Sequence, residues 1–242
     1  MTHYFILFLC LFVASGVQAQ PSPHTPTITF TCSLPEDMPA AIEIRRYYEL
    51  AFANLGYQFE MLHRPIKRAL AEARSGTSDG ECARITRFFD QSEVENHQLI
   101  PINVVVGIST MNIWSREQGP LTASDLLHSE HNICYITGST ASEIWLNTMI
   151  EKTGQTPAFF AVNSYETGLR MLSFGRITHC IGPQISFQAA AQKINLSGQV
   201  YNNGQLLEIE AGPLLHVRHQ AIAEDFTREL QKVVDKHGIL QH

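Results

Sequence analysis

Histidine, cysteine and carboxylate spacings bound the chemistry this chain could perform. The sequence carries 11 histidines, including His128-x-x-His131-x-x-Cys134 and His216-x-x-His219. Imidazole and thiolate at such short separations can ligate zinc. No Cys-x-x-Cys completes a tetrahedron, and Cys134 falls in an apolar strand-like run while its two histidines lie in the loop before it, so a metal centre stays a rival reading. Glu81 and His179 are the candidate proton carriers, because general acid–base work needs a carboxylate or an imidazole beside the reacting group. His179 sits in the apolar run ITHCI, where a histidine is more often satisfied within a core. The sequence has no nucleophile elbow, zincin helix or paired-carboxylate motif. The chemistry on offer favours binding over catalysis, and it calls for no cofactor.

Composition narrows the partners. Of 242 residues, 44% are hydrophobic and 17% charged, the balance of a folded chain with one or two compact domains. Lys plus Arg number 17 against 23 Asp plus Glu, and no dense basic block occurs, which argues against a nucleic-acid partner. Tyr4 to Ala14 (YFILFLCLFVA) is too short an apolar run to span a bilayer and suits the core of a signal peptide. Val17 and Ala19 occupy the small-residue positions of a cleavage site, which predicts a signal peptide over 1–19, cut after Ala19. Only His3 and the terminal amine supply positive charge at the start, so a retained anchor is the alternative. Cleavage removes no charged side chain and leaves the net charge at -6.

Export puts Cys32, Cys82, Cys134 and Cys180 in an oxidising compartment, where two disulfides with three connectivities are open. Cys32 with Cys82 and Cys134 with Cys180 is the preferred pairing, because each pair falls on strands read as neighbours within one lobe. Four buried thiols acting as small hydrophobes are the competing reading.

The elements that must position these groups recur in two similar blocks. Thr27 to Cys32 alternates like a strand, and Ile44, Tyr48, Ala51, Phe52 and Leu55 stripe a helix stopped by Gly56. Tyr57 to Leu62 is a second strand, Pro65 opens a helix ending at Gly76, and Asp79 to Ile85 is a third strand. The same order returns as strand 132–137, a turn at 138–140, helix 141–152, strand 157–162, a helix from Tyr165 to Gly175, and strand 177–181. Strand, helix, strand, helix, strand is the order of a parallel sheet covered on both faces. Pro101 to Ser109 reads as a strand crossing between lobes, Ala211 to His216 as a returning strand, and Ile222 to Gly238 as a final amphipathic helix. The predicted organisation is α/β and two-lobed, with 24–104 plus 208–242 as lobe 1, 105–207 as lobe 2, and a hinge near 104–108 and 200–208. The cleft between lobes is then the default ligand site, since strand ends and helix starts converge there.

With these residues in view, the mature chain resembles the periplasmic solute-binding proteins of family 3, the type II periplasmic-binding-protein fold of polar amino-acid receptors. The most specific part is Arg64 to Ile85, RPIKRALAEARSGTSDGECARI, with support from YELAFANLGY, from Gly138-Ser139-Thr140 after a strand, and from LSFGRI. The resemblance implies a soluble, non-catalytic, monomeric periplasmic protein. It would capture a small polar or anionic ligand, amino-acid-like or an organic acid, for an inner-membrane ABC transporter or a sensor.

The resemblance also implies a site. Arg84 matches the family arginine that holds a ligand carboxylate with its planar fork of donors, with Arg87 as the fallback and a surface pair with Glu81 as the bland alternative. Ser139 and Thr140 match a turn whose helix-start amides meet the same carboxylate, though plain capping explains Ser139 equally well. Arg68 is a second cation near the cleft mouth or a solvated helix residue. Trp114, Tyr165 and Phe89 are candidate aromatic walls, each more often core than platform. One departure stands out: GRITHCIGPQ, over 175–184, lacks the carboxylate that amino-acid receptors present to a ligand ammonium. Glu81, Glu36 or Glu166 would have to replace it. An enzyme of lyase or dehydratase type on the same fold, using Glu81 or His179, is the remaining rival.

Overall fold

The computed structural model describes residues 25–85, 98–128, 130–155 and 157–241. The signal-peptide reading, Arg87 and Phe89 lie outside these residues. The first block holds β1 (Thr27–Cys32), α1 (Pro39–Ala53), β2 (Gln58–His63), α2 (Ile66–Arg74), β3 (Gly80–Ile85) and β4 (Leu99–Pro101). The second holds β5 (Gly107–Ser115), β6 (Asn132–Ile136), α3 (Thr140–Thr153), β7 (Ala158–Val162), α4 (Tyr165–Ser173), β8 (His179–Pro183) and α5 (Gln184–Lys193). β9 (Tyr201–His216), α6 (Ala223–His237) and β10 (Leu240–Gln241) complete the chain.

The strand order is β2-β1-β3-β9-β5-β8-β6-β7. β2-β1-β3 and β8-β6-β7 are each parallel, and in both the first strand in sequence lies in the middle. This is the duplicated order read from the sequence. Antiparallel β9 and β5 join the two halves. The architecture is mixed α/β and two-lobed, with helices flanking the sheet.

The crossing segments differ from expectation. Ile102 to Val106 is not a strand: the Ile102 and Val106 amides donate to Pro213 and Ala211 of β9, but the Val104 amide turns back to Ile102, while Ile102, Val104 and Val106 bury into the first core. β5 starts only at Gly107. Residues 200–208, read as part of the hinge, belong mostly to β9, which pairs with β5 from Tyr201 to Ala211 and with β3 from Ala211 to Leu215. The two pairings meet at Ala211.

The cores follow from strand alternation. In the first lobe, Phe30, Tyr48, Phe52, Phe59 and Phe226 form one aromatic cluster, with Phe52 stacked on Phe226 at 4.1 Å. Alternate residues of β6 feed opposite faces in the second lobe. Ile133 joins Met111, Trp145 and Ile181, whereas Cys134 joins Trp114, Leu169 and Phe187. Both preferred disulfides are present, Cys32–Cys82 with Cα atoms 5.0 Å apart and Cys134–Cys180 with Cα atoms 4.4 Å apart. They link β1 to β3 and β6 to β8, adjacent parallel strands in each lobe.

Candidate functional site

A cavity of about 180 Å³ lies between the lobes. The first lobe contributes Ser33 to Pro35, just past the end of β1, together with Met38 and Ile44 of α1 and the end of β3. The second contributes the turn Gly138 to Ala141, Tyr165, Pro183 at the end of β8, and Ile185 and Ser186 at the start of α5. Gly107, Ser109 and Met111, alternate residues of β5, form part of the wall along with Ile209 and Ala211 of β9. Carboxyl ends of parallel strands and starts of helices converge on one crevice, as the topology requires.

Arg84 reaches this cavity because β3 is irregular. Residues three apart on a regular strand face opposite ways. Between Glu81 and Arg84 the register against β9 shifts, from Glu81 opposite Leu214 to Arg84 opposite Gly212. The two side chains thereby meet: Arg84 Nε donates to Glu81 Oε2 at 3.1 Å and Nη2 lies 2.7 Å from Oε1. Glu81 is fully buried and Arg84 only 8% exposed, so this is an interior ion pair and not a surface one. Arg84 lines the cavity; Glu81 stands behind it.

Ser139 is the N-cap of α3. Its hydroxyl accepts from the Ser142 amide at 3.4 Å and lies 2.9 Å from the Ser142 hydroxyl. Capping thus occupies the Ser139 side chain. The amides of Thr140 and Ala141, at the first two helical positions, stand among those an α-helix leaves without intrahelical partners, and both residues line the cavity. Gly138 adopts φ +84, and a Cβ there would lie 2.6 Å from Lys67 Cγ on α2, so the lobes approach closely at this turn. Ile66 of α2 packs on the second lobe's core, and Ile185 of α5 packs on the first lobe's core.

Tyr165 lines the cavity and packs edge-on against Phe187 at 5.1 Å. Burial raises its phenol pKa, partly offset by a hydrogen bond with Ser186. Arg68 is not at the cavity: it is exposed and bonded to Glu72 at 2.6 Å. Glu72 also holds Arg64 at 2.9 Å, and these bonds, Arg68 first, lower its pKa. Trp114 is likewise elsewhere. It lies on the face of β5 opposite Met111, 5% exposed and stacked on Phe187 at 5.5 Å.

The carboxylates proposed to replace the missing ammonium partner do not line the cavity. Glu36 is exposed. Glu166 borders a separate groove with Lys193, to which it is bonded at 3.0 Å; its own backbone amide and Lys193 lower its pKa.

The residues that the two rival readings invoked lie apart from the inter-lobe cavity. Cys134 is committed to a disulfide, so the His128–His131–Cys134 pattern has no thiolate to offer. Among the described residues, no group of three or more His, Cys, Asp or Glu side chains is placed to hold a metal ion. His216 and His219 serve a structural cluster instead: His219 and Arg218 contact Asp79, which accepts the Thr29 amide at 2.8 Å. His179 is buried against His131, at 4.6 Å between rings, beside a different pocket from the inter-lobe cavity. Burial lowers its pKa to about 4, and its Nδ1 lies 2.9 Å from the Thr178 hydroxyl.

Sequence reasoning missed Ser33, Leu34, Met38, Ser109, Ile185 and Ser186, all lining the cavity. The strand-end rule offered a signal for Ser33–Leu34, which directly follow β1, and for Ile185–Ser186, in the first turn of the helix that follows β8. Nothing in the sequence marked Ser109, whose Oγ is buried without a hydrogen-bond partner among the described residues.

No family model matches the chain, and no curated protein sequence does. Solved structures share its fold. A histidine kinase sensor domain with similarity to periplasmic binding proteins superposes with a TM-score of 0.67 at 14% identity, covering 87% of this chain and 90% of its own. An ancestral arginine-binding protein bound to arginine gives a TM-score of 0.67 at 14% identity, covering 87% and 93%. The periplasmic VFT2 domain of BvgS from Bordetella pertussis gives 0.62 at 13% identity, covering 88% and 93%. At such identities the likeness establishes that this chain has the periplasmic-binding-protein-like fold shared by transport receptors and sensor domains.

Proposed function

We propose that this chain is an exported, non-catalytic binding protein that captures one small molecule between its lobes. The observation that carries the reading is the cavity itself: Arg84 from the first lobe and the start of α3 from the second line the same space. A guanidinium and free helix-start amides together present donors to a ligand head, while apolar side chains surround its body. Lobe 1 is assigned to 24–104 plus 208–242 and lobe 2 to 105–207, with closure about β5 and β9. A periplasmic location fits the two disulfides and the signal-like segment at the start of the sequence. Delivery to an ABC transporter or a membrane sensor, by a monomer, follows the fold's use in related structures and is an analogy of fold.

The test is a thermal-shift screen of the mature chain against amino acids, organic acids and aliphatic compounds, each at high concentration. A compound at a hundred times its Kd stabilises the native state by about 2.7 kcal/mol. In a chain of this size that is a rise of about 5–10 °C in Tm. A full set of small molecules with no shift counts against the reading.

A further inference from the structure

Resting on the binding-protein reading, we infer that the ligand is a small aliphatic molecule with one polar head and no ammonium group. Leu34, Met38 and Ile44 of the first lobe, Ile185 of the second, and Met111 and Ile209 of the crossing strands all line the cavity. Arg84 is the single charged side chain among the described lining residues, and no carboxylate is present there. An ammonium brought against such a wall gives up its hydration and meets no fixed anion. An aliphatic body exchanges water for a surface of its own kind.

The head has a defined set of partners. Glu81 accepts a hydrogen bond from Arg84 Nε and pairs with Nη2 by charge alone, so part of the guanidinium fork is already committed within the protein. The hydroxyl of Ser109, buried without a partner among the described residues, and the first amides of α3 supply the other polar contacts. Ser33, Ser139, Thr140, Tyr165 and Ser186 add hydroxyls to the lining, and its other side chains are aliphatic, thioether or proline. The cavity, of about 180 Å³, has room for a small molecule.

Leucine and 4-methylpentanoate share one carbon skeleton and differ by the ammonium group, and 4-methylpentanamide removes the charge of the head as well. Titration calorimetry of the mature chain with these three, and with glutamine and arginine, reads the inference directly. At least about tenfold tighter binding of the carboxylate or the amide than of any of the amino acids is the expected result. An amino acid that binds as tightly or more tightly overturns the inference and leaves the binding-protein reading standing. Silence from all five, with circular dichroism confirming the native fold, overturns the inference, and the wider thermal-shift screen then decides the binding reading on its own.

Discussion

Replacing Gly168 with alanine tests whether the second lobe is built around its disulfide as described. Gly168 is buried within α4, and a Cβ added there would lie 2.9 Å from Cys134 Sγ and 3.4 Å from Cys180 Sγ. In an ordinary helix interior the substitution stabilises by about 1 kcal/mol, because alanine gives up less backbone entropy than glycine. Here the neighbour is a covalent bridge between two central strands, which cannot swing aside like the end of a flexible side chain. Overpacking of this kind costs about 1–3 kcal/mol, so Gly168→Ala in the oxidised protein is expected to lose its usual gain and to destabilise by up to about 2 kcal/mol net. In a Cys134→Ala/Cys180→Ala background the obstructing sulfurs are gone. The same substitution should then stabilise by up to about 1 kcal/mol, although that background starts about 4 kcal/mol lower for loss of a cross-link spanning 46 residues. Urea unfolding of the four variants gives the double-mutant cycle. A stabilising Gly168→Ala in the oxidised protein, or the same sign in both backgrounds, would refute the packing argument.

Other outcomes follow from the same structure. Replacing Cys32 and Cys82 with alanine should cost about 4 kcal/mol, since the bridge spans 50 residues, and should lower the urea midpoint without changing the far-UV spectrum of the native state. The folded pKa of His179, about 4, lies below the ordinary value of about 6.5, so on acidification the unfolded chain takes up its proton first. Stability from this group is fully present above pH 6.5 or so and is lost as pH falls toward 4, by about 3 kcal/mol at most. The burial-depressed pKa of His216 adds a smaller loss of the same sign. Urea midpoints at pH 7.5 and 4.5 should therefore fall less for His179→Asn than for wild type; equal falls would contradict the assignment. Arg84→Ala should weaken the fold as well as binding, by about 3 kcal/mol, because it removes a charge that compensates buried Glu81. A Tm unchanged by Arg84→Ala would show that the pair is not buried as described.

Much of the architecture was legible because local pattern and tertiary burial agree. Thr27 to Cys32 alternates and forms β1 over those same residues, and Gly56, Gly76 and Gly175 stand at positive φ where the helical stripes stop. α5 left no clear stripe: its buried face is Ser186, Phe187, Ala190 and Ala191, mostly residues too small to register as apolar periodicity. Asn202-Asn203-Gly204 has turn chemistry yet lies inside β9, because pairing with β5 overrides local preference. Gly204 serves there for close approach: a Cβ would lie 2.2 Å from the Leu121 carbonyl oxygen. Of the candidate residues read from the sequence, Arg84, Ser139, Thr140 and Tyr165 line one cavity. Its apolar character was not, because Met38, Met111 and Ile209 look like core residues until the lobes face each other. Arg68, Glu81 and Trp114 lie off the cavity for separate reasons: a surface pair with Glu72, a buried pair with Arg84, and the opposite face of β5.

The most direct test of the central claim is a side-by-side titration of the wild-type mature chain and Ser109→Trp with the compound that gives the largest thermal shift. An indole at position 109 projects from β5 into the inter-lobe cavity and fills it, while leaving Arg84, Glu81 and the α3 cap in place. One-to-one binding to wild type and a loss of at least about a hundredfold in Ser109→Trp, with both proteins folded, is the predicted result. Equal affinity in the two proteins would place the ligand elsewhere and contradict capture between the lobes.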